Sequence, residues 1–205
     1  MKQIIPTKPH AMPGKNQGGF TLIELGIVVV IISILLYMAL GGISGSEKSK
    51  GTALLSKSQD VSGALLLLQQ DTGVFPNRVD ALFNRTVNVA TGNFQGIDAT
   101  ASWKGPYYDT FKPNATGNLP MDTVSATAVL GILQVAAGLP PGATAGYEVS
   151  VSNVDAGIIK EAAGKCNQTN TSLLPPTDYT AGNKCRSSLV AGATAGTFSM
   201  LVKFQ

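Results

Sequence analysis

The stretch that decides the fold is residues 18–43, which read GGFTLIELGIVVVIISILLYMALGGI. Two glycines open it, a long apolar run follows, and Glu24 is its only charged residue. From Leu25 to Ser46 the chain carries no charge over 22 residues, and about 20 apolar residues are enough to cross a bilayer as a helix. The sequence therefore predicts a long helix whose first half spans a membrane.

The residues before this stretch form a short polar leader. Residues 1–19 contain three lysines, three prolines and no acidic residue. The small-residue pair Gly18-Gly19 precedes the apolar run, whereas a secretory signal peptide has its cleavage site after that run. Cleavage at the glycines would leave the apolar helix on the mature protein, and the lysines favour a cytoplasmic N-terminus.

Composition excludes several classes of protein. Of the 205 residues, 44% are hydrophobic and 13% are charged, so the chain is neither disordered nor a protein that coats nucleic acid. The single histidine, His10, lies in the leader, so a trimmed chain would have none for a histidine-based triad or metal site. No phosphate-binding loop, dinucleotide fingerprint or pair of catalytic carboxylates is visible. We therefore expect that the protein is not an enzyme and that it binds no metal and no cofactor.

The net charge of +3 comes entirely from the leader. The leader holds three of the 15 lysines and arginines and none of the 12 acidic residues, so the remaining chain is electrically balanced. A DNA-binding surface normally shows a basic patch. Only a sparse group near the C-terminus could form one, namely Lys165, Lys184 and Arg186. We interpret this group as a solvated loop, and DNA or a host surface stays open as a partner.

The helix is expected to continue beyond the apolar run. Residues 46–70 contain no proline, and apolar residues recur on one face at helical spacing: Leu54, Val61, Leu65 and Leu68. Asp71-Thr72-Gly73 supplies a stop, with Gly73 just after the last helical residue. We therefore expect a helix over residues 20–72, with its second half under a globular head at residues 73–205.

The head has the composition of strands and loops. Apolar and polar residues alternate over residues 147–152 and 198–204, as in half-buried antiparallel strands. Asp155 is expected to cap a short helix over Ala156 to Ala163 that ends at Gly164. The predicted fold class is α+β.

The opening of the deciding stretch resembles a known motif. Gly18-Gly19-Phe20-Thr21-Leu22-Ile23-Glu24-Leu25 followed by an apolar run is similar to the prepilin motif of type IV pilins and of type II secretion pseudopilins. The resemblance implies cleavage after Gly19 by a membrane prepilin peptidase and N-methylation of Phe20. It also implies a type IV pilin-like roll, in which the long helix packs on an antiparallel sheet.

The function that this resemblance implies is that of a filament subunit. The expected protein is a type IV pilin, held in the inner membrane as a precursor and then assembled on an inner-membrane platform into an extracellular homopolymer. Such a pilus serves adhesion, motility or DNA uptake. The alternatives are a type II secretion pseudopilin, and a minor pilin or DNA-uptake receptor.

Two sequence motifs in the head bear on the choice between a pilin and a pseudopilin. Residues 71–76 together with residues 103–107 are similar to the helix-to-sheet connector of pseudopilins and some pilins. The aspartate-proline-tryptophan-glycine string that usually follows in major pseudopilins is missing, since residues 119–123 read LPMDT. This departure argues against a pseudopilin and against the calcium site that some pseudopilins carry.

Glu24 is the candidate assembly residue. A carboxylate at the centre of a bilayer costs about 3 kcal/mol, so it is a functional candidate by default. Once the leader is removed, its most suitable cation is the new α-amino group of Phe20, supplied by a neighbouring subunit whose helix packs in parallel with a stagger. The alternative is a carboxylate solvated at headgroup level. The matching glutamate of the family helps a subunit to dock, which favours the pairing.

Three glycines interrupt the helix near its middle: Gly41, Gly42 and Gly45. Each costs about 1 kcal/mol relative to alanine in a helix. One interpretation is close helix packing through small residues, which is common in membranes. The other is a segment that melts when subunits leave the bilayer, as filaments of the resembled family do, and we favour it slightly.

Cys166 and Cys185 are the two cysteines and enclose 18 residues. A domain delivered across the membrane meets oxidising conditions, so we expect a disulfide. In pilins a comparable C-terminal disulfide delimits a surface region that contacts other subunits or the host. Residues 166–185 are therefore a candidate surface region for specific contacts. The alternative, which is compatible with the first, is that the disulfide only stabilises the fold.

Overall fold

The computed structural model describes residues 22–109 and 112–205, and for residues 37–44 it describes the backbone alone. The chain divides into two units, Met1–Gly42 and Ile43–Gln205. Helix α1, Leu22–Thr72, contributes residues to both units. The leader and the expected helix start at Phe20 lie outside the described residues.

The first unit is represented by the N-terminal part of α1. Its large apolar side chains between Leu22 and Leu36 are all exposed, from 46% at Val28 to 90% at Leu22. This part of the helix therefore presents an apolar surface on every side. Within the described residues, no helix meets both the length and the apolarity that crossing a membrane requires. The predicted membrane span also includes residues 37–44, for which the structure describes the backbone alone.

The described part of the second unit is built on a five-stranded antiparallel sheet. Its strands are β1 (Leu119–Pro120), β2 (Val129–Val135), β3 (Gly146–Asp155), β4 (Cys185–Ser187) and β5 (Ala195–Phe204), in the spatial order β1-β2-β3-β5-β4. Three short 3₁₀ helices lie between α1 and β1: Val79–Leu82, Arg85–Val87 and Ala90–Gly92. The α+β class is confirmed, and β3 and β5 contain the two predicted strands.

The part of α1 in the second unit packs against one face of this sheet, which we call the inner face. The four residues predicted for the apolar face of the helix are each 0% exposed: Leu54, Val61, Leu65 and Leu68. They share a core with Leu130 of β2, Val149 of β3 and Phe198 of β5. Full burial of each such side chain stabilises the fold by about 1.5 to 3 kcal/mol, so this face fixes the helix on the sheet.

Helix α1 ends at Thr72, where the sequence predicts a stop. Gly73 follows in the left-handed region, with a φ of 78°. Its N–H donates to the carbonyl of Gln69 at 2.8 Å. Only glycine adopts this backbone conformation without a steric cost, so the chain leaves the helix at this residue.

Helix α2 (Ala156–Asn167) begins where predicted but extends past Gly164. Gly164 lies inside the helix, at a position where a Cβ would come within 2.6 Å of the Thr171 side chain. The left-handed residue that ends the helix is Gln168, with a φ of 56°. The predicted end at Gly164 is therefore wrong, since this glycine serves close packing.

The predicted cap of α2 is also wrong. The Asp155 side chain makes no capping hydrogen bond. The N–H of Ala156 donates instead to the carbonyl of Thr194 at 2.9 Å. The Glu47 carboxylate of α1 lies against Gly157, where a Cβ would collide with it. The start of α2 thus faces a negative charge from another helix, which is favourable at a helix N-terminus.

Replacing Gly51 by alanine is expected to destabilise the contact between α1 and α2. A Cβ on Gly51 would lie 2.7 Å from the Cβ of Glu161 and 3.1 Å from the carbonyl oxygen of Ile158. Overpacking of this kind costs about 1 to 3 kcal/mol. The gain in helix propensity, about 1 kcal/mol, offsets only part of that cost. Urea denaturation of Gly51→Ala should give a lower free energy of unfolding than wild type.

Gly63 is the matched control, since it lies in the same helix with nothing within 4 Å of its Cβ position. Gly63→Ala should therefore raise the free energy of unfolding by about 1 kcal/mol through propensity alone. An equal gain in stability from both variants would contradict the close helix contact at Gly51.

Candidate functional site

The N-terminal site predicted from the sequence consists of a cleavage junction, Gly19-Phe20, and an acidic side chain, Glu24. Gly19 and Phe20 lie outside the described residues. Glu24 lies in the first turn of α1, between Ile23 and Leu25, which are 73% and 61% exposed. A neighbouring apolar helix packed on this surface would surround the carboxylate with hydrocarbon. A charged carboxylate is costly in such surroundings unless a cation pairs with it.

The glycines of the predicted melting segment lie within α1, which is helical over its whole described length. The boundary between the two units falls between Gly42 and Ile43. Nothing in the described structure lies within 4 Å of the Cβ position of Gly45, so no described contact explains that glycine. Melting at Gly41, Gly42 and Gly45 stays a prediction.

The two segments that resemble the helix-to-sheet connector, residues 71–76 and residues 103–107, meet at the end of α1. The Tyr107 hydroxyl donates to Asp71 Oδ2 at 2.9 Å, and Lys104 Nζ lies 3.4 Å from Asp71 Oδ1. Burial raises the pKa of Tyr107, and so does the Asp71 carboxylate, so the phenol stays a neutral donor. Trp103 Nε1 donates to the carbonyl of Ala81 at 3.0 Å. The contacts of Tyr107 and Lys104 tie the last turn of α1 to the segment that leads into the sheet, and the Trp103 bond ties that segment to the first 3₁₀ helix.

The predicted disulfide between Cys166 and Cys185 is confirmed. It links the last turn of α2 to the first residue of β4, with the two Cα atoms 6.0 Å apart. Asn167 closes the same junction with its side chain. Its amide donates to the carbonyl of Cys185 at 2.7 Å, and its Oδ1 accepts from the N–H groups of Lys184 and Cys185, both at 3.0 Å. The two ends of the intervening loop are therefore joined both by the disulfide and by the hydrogen bonds of Asn167.

The loop between the cysteines, residues 167–184, crosses the outer face of the sheet, opposite α1. Most of it is exposed, but Pro175 and Tyr179 are buried. The Tyr179 hydroxyl donates to Glu148 Oε2 of β3 at 2.6 Å, and its N–H donates to the carbonyl of Gly138 at 2.7 Å. Tyr179 thus anchors the disulfide loop on the sheet, and the carbonyl of Pro176 adds a second bond, accepting from the N–H of Ser187 in β4 at 2.8 Å.

This anchoring corrects the prediction that β3 is half-buried. Glu148 and Ser150 point away from the α1 side, yet they are only 1% and 6% exposed. Tyr179 of the disulfide loop and the Arg186 side chain cover Glu148 from outside. An alternating pattern reports which residues share a face of a strand, but it does not report what covers that face.

Glu148 is the centre of a buried polar cluster with Arg186 and Tyr179. Arg186 donates from Nε to Oε2 at 2.9 Å and from Nη2 to Oε1 at 3.0 Å, a two-pronged contact. Its guanidinium carbon lies 5.2 Å from the centre of the Tyr179 ring. Hydrogen bonding to Glu148 raises the pKa of Arg186. Burial, reinforced by the charge of Glu148, raises the pKa of Tyr179, so Tyr179 remains a neutral donor.

Of the basic group expected near the C-terminus, Lys184 is exposed in the disulfide loop as predicted, whereas Lys165 lies in α2 and Arg186 lies in β4. The charge of Arg186 is neutralised by Glu148. Lys165 Nζ lies 3.2 Å from Glu161 Oε1 and donates to Thr52 Oγ1 at 2.7 Å. Sequence reasoning missed the pairing of Glu148 with Arg186 because nothing in the local sequence distinguishes a glutamate that is buried against an arginine from one that faces water.

Removing the disulfide is expected to lower the free energy of unfolding by about 3 kcal/mol, since reduction frees a loop of intermediate length in the unfolded chain. Cys166→Ser and Cys185→Ser should give the same loss, and the double variant should lose no more than either single variant. Urea denaturation measures these changes. Peptide mapping without reductant should recover Cys166 linked to Cys185, and free thiols at both positions would contradict the bond.

The chain combines an N-terminal Gly-Gly pair, a long apolar helix, an α+β fold and a C-terminal disulfide, and these features are similar to those of prepilin-type proteins. Residues 14–43 match the family model of the prokaryotic N-terminal methylation motif. The chain is also similar to the type II secretion system core protein G of Xanthomonas campestris pv. campestris, with 27% identity over 93 residues. These findings confirm the resemblance to prepilins.

The extent of these similarities is partial. The match to the Xanthomonas protein covers 45% of this chain and 57% of that relative, so the chain spans little more than half of the relative's length. No solved structure matches the chain significantly. The similarities support a pilin-like or pseudopilin subunit, a class of structural proteins.

Proposed function

We propose that this chain is the structural subunit of a type IV pilus. One observation carries the proposal: the methylation motif at residues 14–43 overlaps a helix whose apolar side chains from Leu22 to Leu36 are exposed on all sides. An apolar surface of this extent requires lipid or other protein around it. The inner membrane supplies the lipid for the precursor, and the helices of identical subunits replace it in the extracellular filament.

The precursor is processed before assembly. A prepilin peptidase cuts after Gly19 and methylates the new N-terminus at Phe20, which leaves the apolar helix on the mature chain. The inner-membrane assembly platform then adds subunits to the filament, where Glu24 accepts the charge of a neighbour's Phe20 amine. Melting at Gly41, Gly42 and Gly45 lets the helix adjust as it leaves the bilayer. The finished pilus serves adhesion, motility or DNA uptake.

A pseudopilin of a type II secretion system is the second candidate function. The similarity to core protein G favours it. Two features of the head favour the pilus instead: residues 119–123 lack the string usual in major pseudopilins, and the loop closed by Cys166 and Cys185 is mostly exposed, as a contact region on a filament would be.

A deletion strain distinguishes the two functions. Loss of the gene should remove filaments from the cell surface, seen by electron microscopy of negatively stained cells, and leave the secretion of extracellular enzymes unchanged. Expression of the wild-type chain from a plasmid should restore the filaments. Normal filaments together with lost secretion would overturn the pilus and support the pseudopilin.

A further inference from the structure

The outer face of the sheet carries a pocket of about 360 Å³ beside the disulfide loop. Six hydroxyl-bearing residues line it, and we call it the hydroxyl pocket: Ser150, Thr177, Ser187, Ser188, Thr197 and Ser199. Leu133 of β2 forms an apolar part of its wall, and Glu148 with Arg186 forms a charged part. No proposed role in the filament uses this pocket.

The serines of the pocket are held by the sheet. Ser150 of β3 lies directly opposite Ser199 of β5, and Ser199 lies opposite Arg186 of β4. The Ser199 hydroxyl donates to the Ser150 hydroxyl at 3.1 Å, and the two residues are 4% and 6% exposed. Each hydroxyl can donate one bond and accept two, so the pair has capacity for further bonds. Their positions are fixed by three adjacent strands, as precise recognition requires.

The pocket has polar groups but no net charge. Glu148 and Arg186 neutralise one another through two hydrogen bonds, and none of the other described residues that line the pocket is charged. Two of the five N–H groups of Arg186 engage Glu148. An ionic ligand would lose its hydration here without meeting an opposite charge. The pocket therefore favours an uncharged ligand rich in hydroxyl groups.

The size and the apolar wall narrow the choice of ligand. Leu133 is 49% exposed and offers hydrocarbon to the C–H face of a ring. A volume of about 360 Å³ is near the lower end of the range for small-molecule sites, roughly 300 to 1,000 Å³, so it suits one ring rather than a chain of rings. From these observations we propose that the hydroxyl pocket binds one neutral saccharide residue.

Ligand-observed NMR on the full processed chain tests the proposal. The chain is kept in a phosphocholine detergent, because a detergent with a sugar headgroup would compete. The probes are the methyl glycosides of glucose, galactose, mannose and N-acetylglucosamine. We expect at least one of them to bind with a Kd of about 1 mM, a weak affinity in keeping with a single ring. Glucuronate and inorganic phosphate should bind at least tenfold more weakly, and preferential binding of either anion would overturn the proposal.

Two pocket variants and one control make the test specific. Leu133→Ala removes the apolar wall at a half-exposed position, where little stability depends on the side chain. Ser199→Ala removes one buried hydroxyl. Each should weaken binding of the glycoside by about fivefold to tenfold, the loss typical of one good contact. Leu173→Ala is the control, since Leu173 is 63% exposed in the disulfide loop and does not line the pocket.

Thermal denaturation checks that each variant is folded. Should Ser199→Ala fail to fold, Leu133→Ala decides alone. Absence of binding by all four glycosides, or binding that Leu133→Ala leaves unchanged, would overturn the saccharide site. The measurement uses unassembled subunits, so its outcome does not depend on whether the chain forms a pilus.

Discussion

Glu24→Ala is expected to abolish filaments while leaving membrane insertion and processing intact. In the proposed filament, Glu24 and a neighbour's Phe20 amine are buried together among apolar helices. Removing one partner of a buried ion pair leaves the other charge uncompensated, at a cost of about 3 to 5 kcal/mol. Every subunit in the filament would bear this cost, so assembly should fail. Insertion should persist, since the variant makes an already apolar segment more apolar.

The measurement compares sheared filaments with membrane fractions from cells that express only the variant. The expected result is processed, membrane-resident subunit with few or no filaments. Glu24→Gln keeps the size of the side chain without its charge and should fail in the same way. Ser33→Ala is the control, because Ser33 lies in the same segment and its hydroxyl donates to the carbonyl of Val29 in the same helix, at 2.8 Å. Normal filament yield from Glu24→Ala would rule out the ion pair.

Arg186→Met is expected to lower the free energy of unfolding by about 3 to 5 kcal/mol, because it leaves the charge of Glu148 unpaired. The Glu148 side chain is 1% exposed, and that of Arg186 is 25% exposed. The remaining hydrogen bond from Tyr179 cannot neutralise a carboxylate. Urea denaturation at neutral pH measures the loss.

Arg78→Met is the matched control for this prediction. Arg78 pairs with Asp80 at 2.6 Å, but its side chain is 45% exposed, so the loss should stay below about 1 kcal/mol. The double variant Arg186→Met with Glu148→Leu removes both charges and should recover much of the stability. Equal, small losses in Arg78→Met and Arg186→Met would contradict a buried, paired Glu148.

The features that could be predicted from the sequence depend on local patterns. The buried face of α1 follows from the helical spacing of Leu54 and Val61, and its end follows from Gly73, which adopts a backbone conformation that suits glycine alone. Of the five strands, β3 and β5 follow from the alternation of apolar and polar residues. The disulfide required only the count of cysteines and an oxidising compartment. For the helix face, the helix end and the two strands, the physical cause lies within a few residues of its effect, whereas the disulfide joins residues 19 apart.

The features that could not be predicted depend on contacts between distant segments. Tyr179 and Glu148 are 31 residues apart, and Arg186 and Glu148 are 38 apart, so no local pattern relates them. Gly164 has the sequence appearance of a helix stop, but Thr171 packs against it and the helix continues. The hydroxyl pocket arises in the same way, from serines on three strands that only the folded sheet brings together.

N-terminal mass spectrometry of sheared, purified filaments tests the central claim most directly. The account predicts that the chain is the main protein of these filaments and that it begins at Phe20 with an N-methyl group. Gly19→Ala should yield full-length precursor in the membrane and no filaments, since the peptidase site implied by the motif accommodates glycine at the scissile bond. An intact leader on assembled subunits, or a mature chain that begins after residue 43, would contradict the account.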